Sequence, residues 1–364
     1  MERLIFLLLM IAYLSGCLSN PAMDSQAPVI ITNPPSTDRG YLLSYSQVSS
    51  MPVNEIVQMN RDIGDISGYA QKNLDLYSIV YNSVDSGTLV QVSGLVFIPQ
   101  NTDSLIDIIQ NHHGTIIPEY GDEETPSTYT GGKKRSSEMY FVGATMASNG
   151  YVVSMPDYVG YGESGHLEHP YTVHRELAEV SIDMLRATRQ LLNLLSVRVS
   201  DNVFLTGWSE GGGAGLATHK ALQENPSAEF NVVASSLFAG PYDYVGFLKD
   251  IFINRTTERD ELSIYSWSVY ALNKYNQTLN RAASTIWQYE VTDQLDALDV
   301  PSLKPSEIFQ SEFIDTLINE SDKAFTSAVM ENTLISGWIP SGQLYFHSGT
   351  ADKIVPHYNS VNRS

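Results

Sequence analysis

The sequence predicts an α/β fold: a mostly parallel sheet flanked by helices, with a helical cap inserted before the penultimate strand. Three observations carry this expectation. Short apolar runs alternate with stretches of three-and-four apolar spacing as far as Asp243. A G-x-S-x-G run, Gly207-Trp208-Ser209-Glu210-Gly211, stands where one apolar run gives way to a small-residue helix start. From Tyr244 to about Ile339 the alternation stops in favour of an aromatic-rich helical segment, and a strand-like run then resumes.

The chain has 364 residues, enough for one large α/β domain or two average ones. Its 41 Asp and Glu against 21 Lys and Arg leave a net charge of -20, which argues against nucleic acid as a partner and suits a soluble surface outside the cytoplasm. At the start, Met1-Glu2-Arg3 precedes an apolar run from Leu4 to Leu14, too short to span a bilayer as a mature helix. Leu14-Ser15-Gly16-Cys17 resembles the bacterial lipoprotein box, which implies a signal over 1–16, lipidation at Cys17 and a lipid anchor to the membrane of the cell envelope. An ordinary secretory signal with an incidental Cys is the alternative. Cys17 is the only cysteine, so internal disulfides and thiolate metal sites are excluded.

Residues 17–40 are Ser, Asn, Pro and Thr rich and read as a tether. A first core part, 41–243, opens on a mixed segment from Tyr41 to Gly68, expected as short helices. The runs Leu74–Tyr81 and Thr88–Ile98, joined through Asp85-Ser86-Gly87, predict an antiparallel hairpin. A third run, Leu105 to Ile109, ends in Asn111-His112-His113-Gly114-Thr115. A His-Gly there can supply one backbone donor of an oxyanion hole, from Gly114 or Thr115, the other being the N–H of Glu210. Gly121 to Gly132 reads as a loop, Met139 to Ser148 as a helix closed by Asn149-Gly150, and Tyr151 to Met155 as a strand.

Gly160, Gly162 and Gly165 spell G-x-G-x-x-G, but Pro156-Asp157 separates them from the strand and His166-Leu167-Glu168-His169-Pro170 is no apolar helix start, so a dinucleotide site is not expected. Neither His112 with His113 nor His166, His169 and His174 have metal-ligand spacing on one element, and Pro170 breaks the second group. The helix from about Tyr171 to Leu195 has an apolar face through Leu177, Val180, Met184, Ala187 and Leu191, with Glu176 and Glu179 early and Arg186 and Arg189 late, a distribution that suits its dipole. Ser209 then sits at a strand-turn-helix corner that would stand its hydroxyl clear of the sheet, which makes it the candidate nucleophile; the pattern alone is weak and its context strengthens it. After the next strand, Phe230 to Ala239, comes Gly240-Pro241-Tyr242-Asp243.

The insertion, 244–339, is what a cap over an apolar pocket would look like, and Tyr265, Trp267 and Trp287 are its candidate substrate-binding rings; a helical subdomain with its own core is the plainer reading. The last core part, 340–364, carries Gln343 to His347 and then Asp352, where the acid of a serine triad belongs, with Asp243 as the fallback.

These pieces together resemble the α/β-hydrolase superfamily, and within it the secretory lipases and their bacterial esterase relatives. The matching stretches include Val96-Phe97-Ile98-Pro99, His113-Gly114-Thr115, Pro156-Asp157-Tyr158-Val159-Gly160-Tyr161-Gly162, His169-Pro170-Tyr171, Met184-Leu185-Arg186-Ala187, Gly207-Trp208-Ser209-Glu210-Gly211-Gly212, Gly240-Pro241-Tyr242-Asp243 and Gly349-Thr350-Ala351-Asp352, in family order. The resemblance implies an α/β-hydrolase fold, an eight-stranded sheet, no cofactor and no metal, and hydrolysis of small-molecule or lipid carboxylic esters through an acyl-serine. A serine peptidase of the prolyl-oligopeptidase kind and an inactive hydrolase-fold binding protein are the competing readings. One departure stands out. The family places its catalytic His after a further helix and strand, whereas only twelve residues follow Asp352 and their one His, His357, comes directly after Val355-Pro356. His357 is therefore a poor candidate base, and the expectation is a C-terminally incomplete chain with weak activity, poor solubility and an unpaired edge at its last strand.

Overall fold

The sheet begins earlier in the chain than the tether expected over 17–40 allows. In the computed structural model, which describes residues 27–31, 37–62, 64, 66–102, 104–132, 138–225 and 229–361, Val29–Ile30 (β1) pairs antiparallel with Leu42–Met51 (β2). The 1–16 signal and Cys17 lie outside the described residues. β2 also replaces the first of the short helices expected from Tyr41. Its serine-rich sequence hides the period of two, and register shifts at Leu42/Ser44 and Gln47/Ser49 break it further. A helix does follow, Val53–Asp62 (α1), its Ile56 and Met59 buried on one face.

Leu74–Asp85 (β3) and Thr88–Pro99 (β4) form the expected hairpin, and Ser86 and Gly87 both take positive φ, 49° and 80°, as its two-residue turn requires. Ile106–His112 is β5. The expected loop after it coils into short turns, including Gly121–Glu124 (α2). A π-helical turn, Met139–Ala144, leads into Thr145–Ser148 (α3), and Gly150 at φ 109° ends it. Then come Val152–Pro156 (β6), His174–Leu194 (α4), Val199–Trp208 (β7), Glu210–Glu224 (α5) and Asn231–Phe238 (β8). The insertion supplies Tyr244–Ile253 (α6), Leu262–Tyr275 (α7), Gln294–Leu298 (α8), Pro305–Ile308 (α9), Ser311–Ile318 (α10) and Lys323–Glu331 (α11). Gln343–His347 (β9) and Tyr358–Val361 (α12) complete the described chain.

The strands lie in the order β1-β2-β3-β4-β6-β5-β7-β8-β9. Pairings from β6 through β5, β7 and β8 to β9 are parallel, and those from β1 to β4 and from β4 to β6 are antiparallel. Among the described residues the sheet thus has nine strands rather than the expected eight, and its parallel character is confined to the half that carries the candidate nucleophile. α4 and α5 cover one face, where Leu177, Val180 and Met184 meet Val96, Ile108 and Leu205. α1 and α3 cover the other beside Leu95, Phe97 and Val153. The insertion has its own core around Phe252, Phe309 and Phe313.

Toward β9 that second face carries no helix among the described residues: Trp208, Phe238 and Tyr345 on three neighbouring strands are 58%, 41% and 50% exposed, and β9 is the sheet's edge. Among the described residues no helix is long and apolar enough to cross a membrane. The charges of α4 also make tertiary contacts, since Arg39 bonds Asp183 at 3.0 Å and meets Glu179 at 3.5 Å, while Arg186 reaches Glu229 as well as Asp183 one turn back in the same helix.

The π-helical turn is seated against β4 through Gly143, where a Cβ would stand 2.6 Å from the Phe97 ring. Gly143→Ala is therefore expected to cost about 1–3 kcal/mol in a thermal or urea melt, and adding Phe97→Leu to recover part of the loss.

Candidate active site

β7 delivers Ser209 to the C-terminal end of the parallel strands at φ 56° and ψ -122°, a backbone that a non-glycine residue holds only at a cost of about 1–3 kcal/mol. Three hydrogen bonds impose it. Ser209 N–H donates to the Phe238 carbonyl at 2.8 Å, and Gly212 and Gly213 N–H donate back to the Ser209 carbonyl at 2.9 and 3.3 Å. The flanking glycines are steric necessities: a Cβ on Gly207 would lie 2.2 Å from the Gly211 carbonyl oxygen, and one on Gly211 would lie 2.0 Å from that of His112. Ser209 is half-buried, and its Oγ makes no hydrogen bond among the described residues. Glu210 opens α5, so its N–H is one of the first-turn donors that a helix cannot satisfy internally, at the positive end of the helix dipole.

Across from it stands the end of β5. His112 is a brace, with Nδ1 2.9 Å from the Thr206 carbonyl and Nε2 3.2 Å from Thr218 Oγ1. His113 likewise lies between the carbonyls of Gly114 and Asp157. Burial lowers the pKa of both rings, that of His112 to about 4, so both are neutral near pH 7. The Gly114 N–H, one of the two expected donors, is committed to the Glu138 carboxylate at 3.1 and 3.3 Å. The Thr115 N–H has no acceptor among the described residues, and Thr115 Oγ1 lies 2.9 Å from Tyr171 Oη.

Two carboxylates beside this corner carry no sequence signal. Glu138 is one; burial pushes its pKa up to about 7 and the Glu210 charge adds to the rise, against the hydrogen bonds from Gly114 and Asn111. The Glu210 side chain is the other. It is buried and bonded through Oε1 to His169 Nε2 at 2.7 Å and to the Thr172 N–H at 3.2 Å. The two partners stand 41 positions apart, a spacing that gives no local cue.

The three histidines of 166–174 do not converge: His166 is exposed, His169 faces Glu210, and His174 Nδ1 meets the Asn332 carbonyl. Among the described residues no cluster of three or more His, Cys, Asp or Glu could hold a metal ion. Asp352 folds its Oδ1 back onto the N–H groups of Ile354 and Val355 at 2.9 and 3.0 Å, leaving Oδ2 without a hydrogen bond among the described residues. Asp243, the fallback acid, caps α6 by accepting from the Gly246 N–H. His357 Nδ1 lies 2.7 Å from Ser348 Oγ, and no imidazole is hydrogen-bonded to Ser209 or Asp352 among the described residues.

Of the three candidate substrate-binding rings, Tyr265 and Trp287 are buried within the insertion's own core, Tyr265 donating to the Ile354 carbonyl and Trp287 Nε1 to Ser266 Oγ. Trp267 is also buried, but it lies against Tyr171 and His169 and so borders the site from the cap side.

Residues 126–363 match the family model described as secretory lipase. A search of curated protein sequences returns no match. Among solved structures, a putative hydrolase from Legionella pneumophila superposes with a TM-score of 0.74 at 23% identity, covering 88% of this chain and 87% of that one. The rice cell wall degrading esterase LipA from Xanthomonas oryzae gives 0.73 at 22% identity over 89% and 86%. Lipase A from Candida antarctica, in its closed state, gives 0.63 at 16% over 90% and 73%. All three are similar to this chain in fold.

The raised pKa of Glu138 sets a pH dependence whose sign follows from linkage. The folded state holds this proton more tightly than the unfolded chain, so its contribution is complete below the ordinary carboxylate range and is lost as pH rises through about 7. Glu138→Gln is expected to flatten that part of the decline in melting temperature between acid and neutral pH, read by melts of both chains across the range.

Proposed function

This chain belongs to the secretory lipase family, and on that premise we propose that it hydrolyses carboxylic esters through an acyl-serine formed on Ser209. Family membership supports an ester hydrolase of the α/β-hydrolase type. The observation that carries the finer reading is the strained Ser209 corner with the N–H groups of Glu210 and Thr115 beside it, neither of which has an acceptor among the described residues. Ser209 Oγ attacks the ester carbonyl, the two amides receive the oxygen as it becomes anionic, and the alcohol leaves with a proton. Water then repeats the attack on the acyl-serine and frees the acid. Asp352, with Oδ2 open, is the proposed acid that would orient an imidazole. The substrates are small-molecule or lipid esters, and the family's secretory character supports export; anchoring through Cys17 remains part of the proposal.

One observation favours a second reading. Ser209 Oγ has no base in contact among the described residues, and a serine without one is a weak nucleophile, slower by about 10⁴–10⁶ when a triad is disabled. A binding protein on the hydrolase scaffold is the consequence if this corner never acylates. Stopped-time assays with p-nitrophenyl butyrate separate the two. The esterase reading expects turnover that Ser209→Ala abolishes, and product formation unchanged by Ser209→Ala sinks it.

The contact with Ser348 makes a further expectation for His357. His357→Ala should leave kcat within about threefold, whereas a loss comparable to that of Ser209→Ala would make it the base.

A further inference from the structure

The two residues that carry the amides of the proposed oxyanion hole are both held, through their side chains, from a single short loop. Tyr171 Oη stands 2.9 Å from Thr115 Oγ1, on the side of the first donor. Glu210 carries the second donor, and its carboxylate is bound by the Thr172 N–H and by His169 Nε2. His169, Tyr171 and Thr172 therefore reach both walls of the site, and all three are buried.

The loop is itself held by the cap. The Trp267 ring on α7 lies parallel to Tyr171, with centroids 4.0 Å apart and 3° between the planes. Next to it on α7, Ser268 Oγ lies 3.1 Å from Thr172 Oγ1, which is also 3.0 Å from Tyr244 Oη on α6. Two adjacent cap residues thus touch two adjacent loop residues, and each of those touches one donor residue. Thr172 takes φ 56°, a left-handed backbone that a β-branched residue adopts only where its surroundings over-determine it. In a buried network each bond constrains the next, so a shift of α7 is transmitted to the donors with little slack.

We propose that Tyr171 and Thr172 are positioning residues through which helix α7 sets the placement of the Thr115 and Glu210 amides, so that the seating of the cap governs oxyanion stabilisation. The inference rests on Ser209 being the nucleophile. It assigns the cap a part in the chemistry that does not require its rings to touch substrate.

The test uses the full chain with two probes. Phenylboronic acid forms a tetrahedral adduct when Ser209 Oγ donates a lone pair to boron and releases its proton to solvent, leaving a negatively charged boronate with one of its hydroxyl oxygens in the hole. Benzamide occupies the same pocket without that charge. Tyr171→Phe, Ser268→Ala and Thr172→Val are each expected to weaken the boronate about tenfold while shifting benzamide less than about twofold, and Thr172→Ser, which keeps the hydroxyl, to stay within about twofold of the parent on both. Unchanged boronate affinity in all three variants overturns the inference, as does equal weakening of both probes, which would mean general damage to the pocket. Boronate binding that survives Ser209→Ala in full removes the nucleophile reading and this inference with it.

Discussion

The site depends on how closely helix α5 passes the end of β5. At Gly211 the backbone approaches the His112 carbonyl so nearly that a single methyl group could not be accommodated, and Gly207 meets Gly211 with equal intimacy. Only this approach turns the chain sharply enough to hold Ser209 in a backbone that L-residues avoid. The strain is balanced by hydrogen bonds from β8 and from the first turn of α5. Corner, helix dipole and free amide are therefore consequences of one packing distance.

Around that corner the protein places ionisable groups whose charge is restrained. His112 and His113 are neutral braces, Glu138 is held near the point of titration by burial, and the Glu210 carboxylate is engaged by His169 and Thr172. Each neighbours a backbone group that the proposed chemistry would use or shape. The cap joins the same network through α6 and α7, so core and insertion meet over polar contacts at the site as well as over apolar ones.

Much of the framework was legible because it rests on local rules. The β3–β4 hairpin was announced by Asp85-Ser86-Gly87, since a two-residue turn demands positive φ twice. The apolar face of α4 and the strands around Ser209 followed from periodicity. β2 was not legible, because its bulges break the alternation and serine has no strong preference for a strand. That Tyr265 and Trp287 pack in the insertion's own core was not legible either, since an aromatic-rich segment has the same composition whichever way its rings face.

The sequence by itself marked the place of the corner: glycines two places either side of a serine, between a strand and a small-residue helix start, leave out the side chains that a tight strand-to-helix turn cannot hold, and that mark is local. Only the tertiary structure decided what faces the corner. It joined Glu210 to His169, gave the Gly114 amide to Glu138 and left that of Thr115 without an acceptor among the described residues, and set Trp267 and Ser268 against Tyr171 and Thr172. Those contacts join residues far apart in the chain, and their cost or benefit depends on burial and charge that exist only once the sheet and the cap have closed around them.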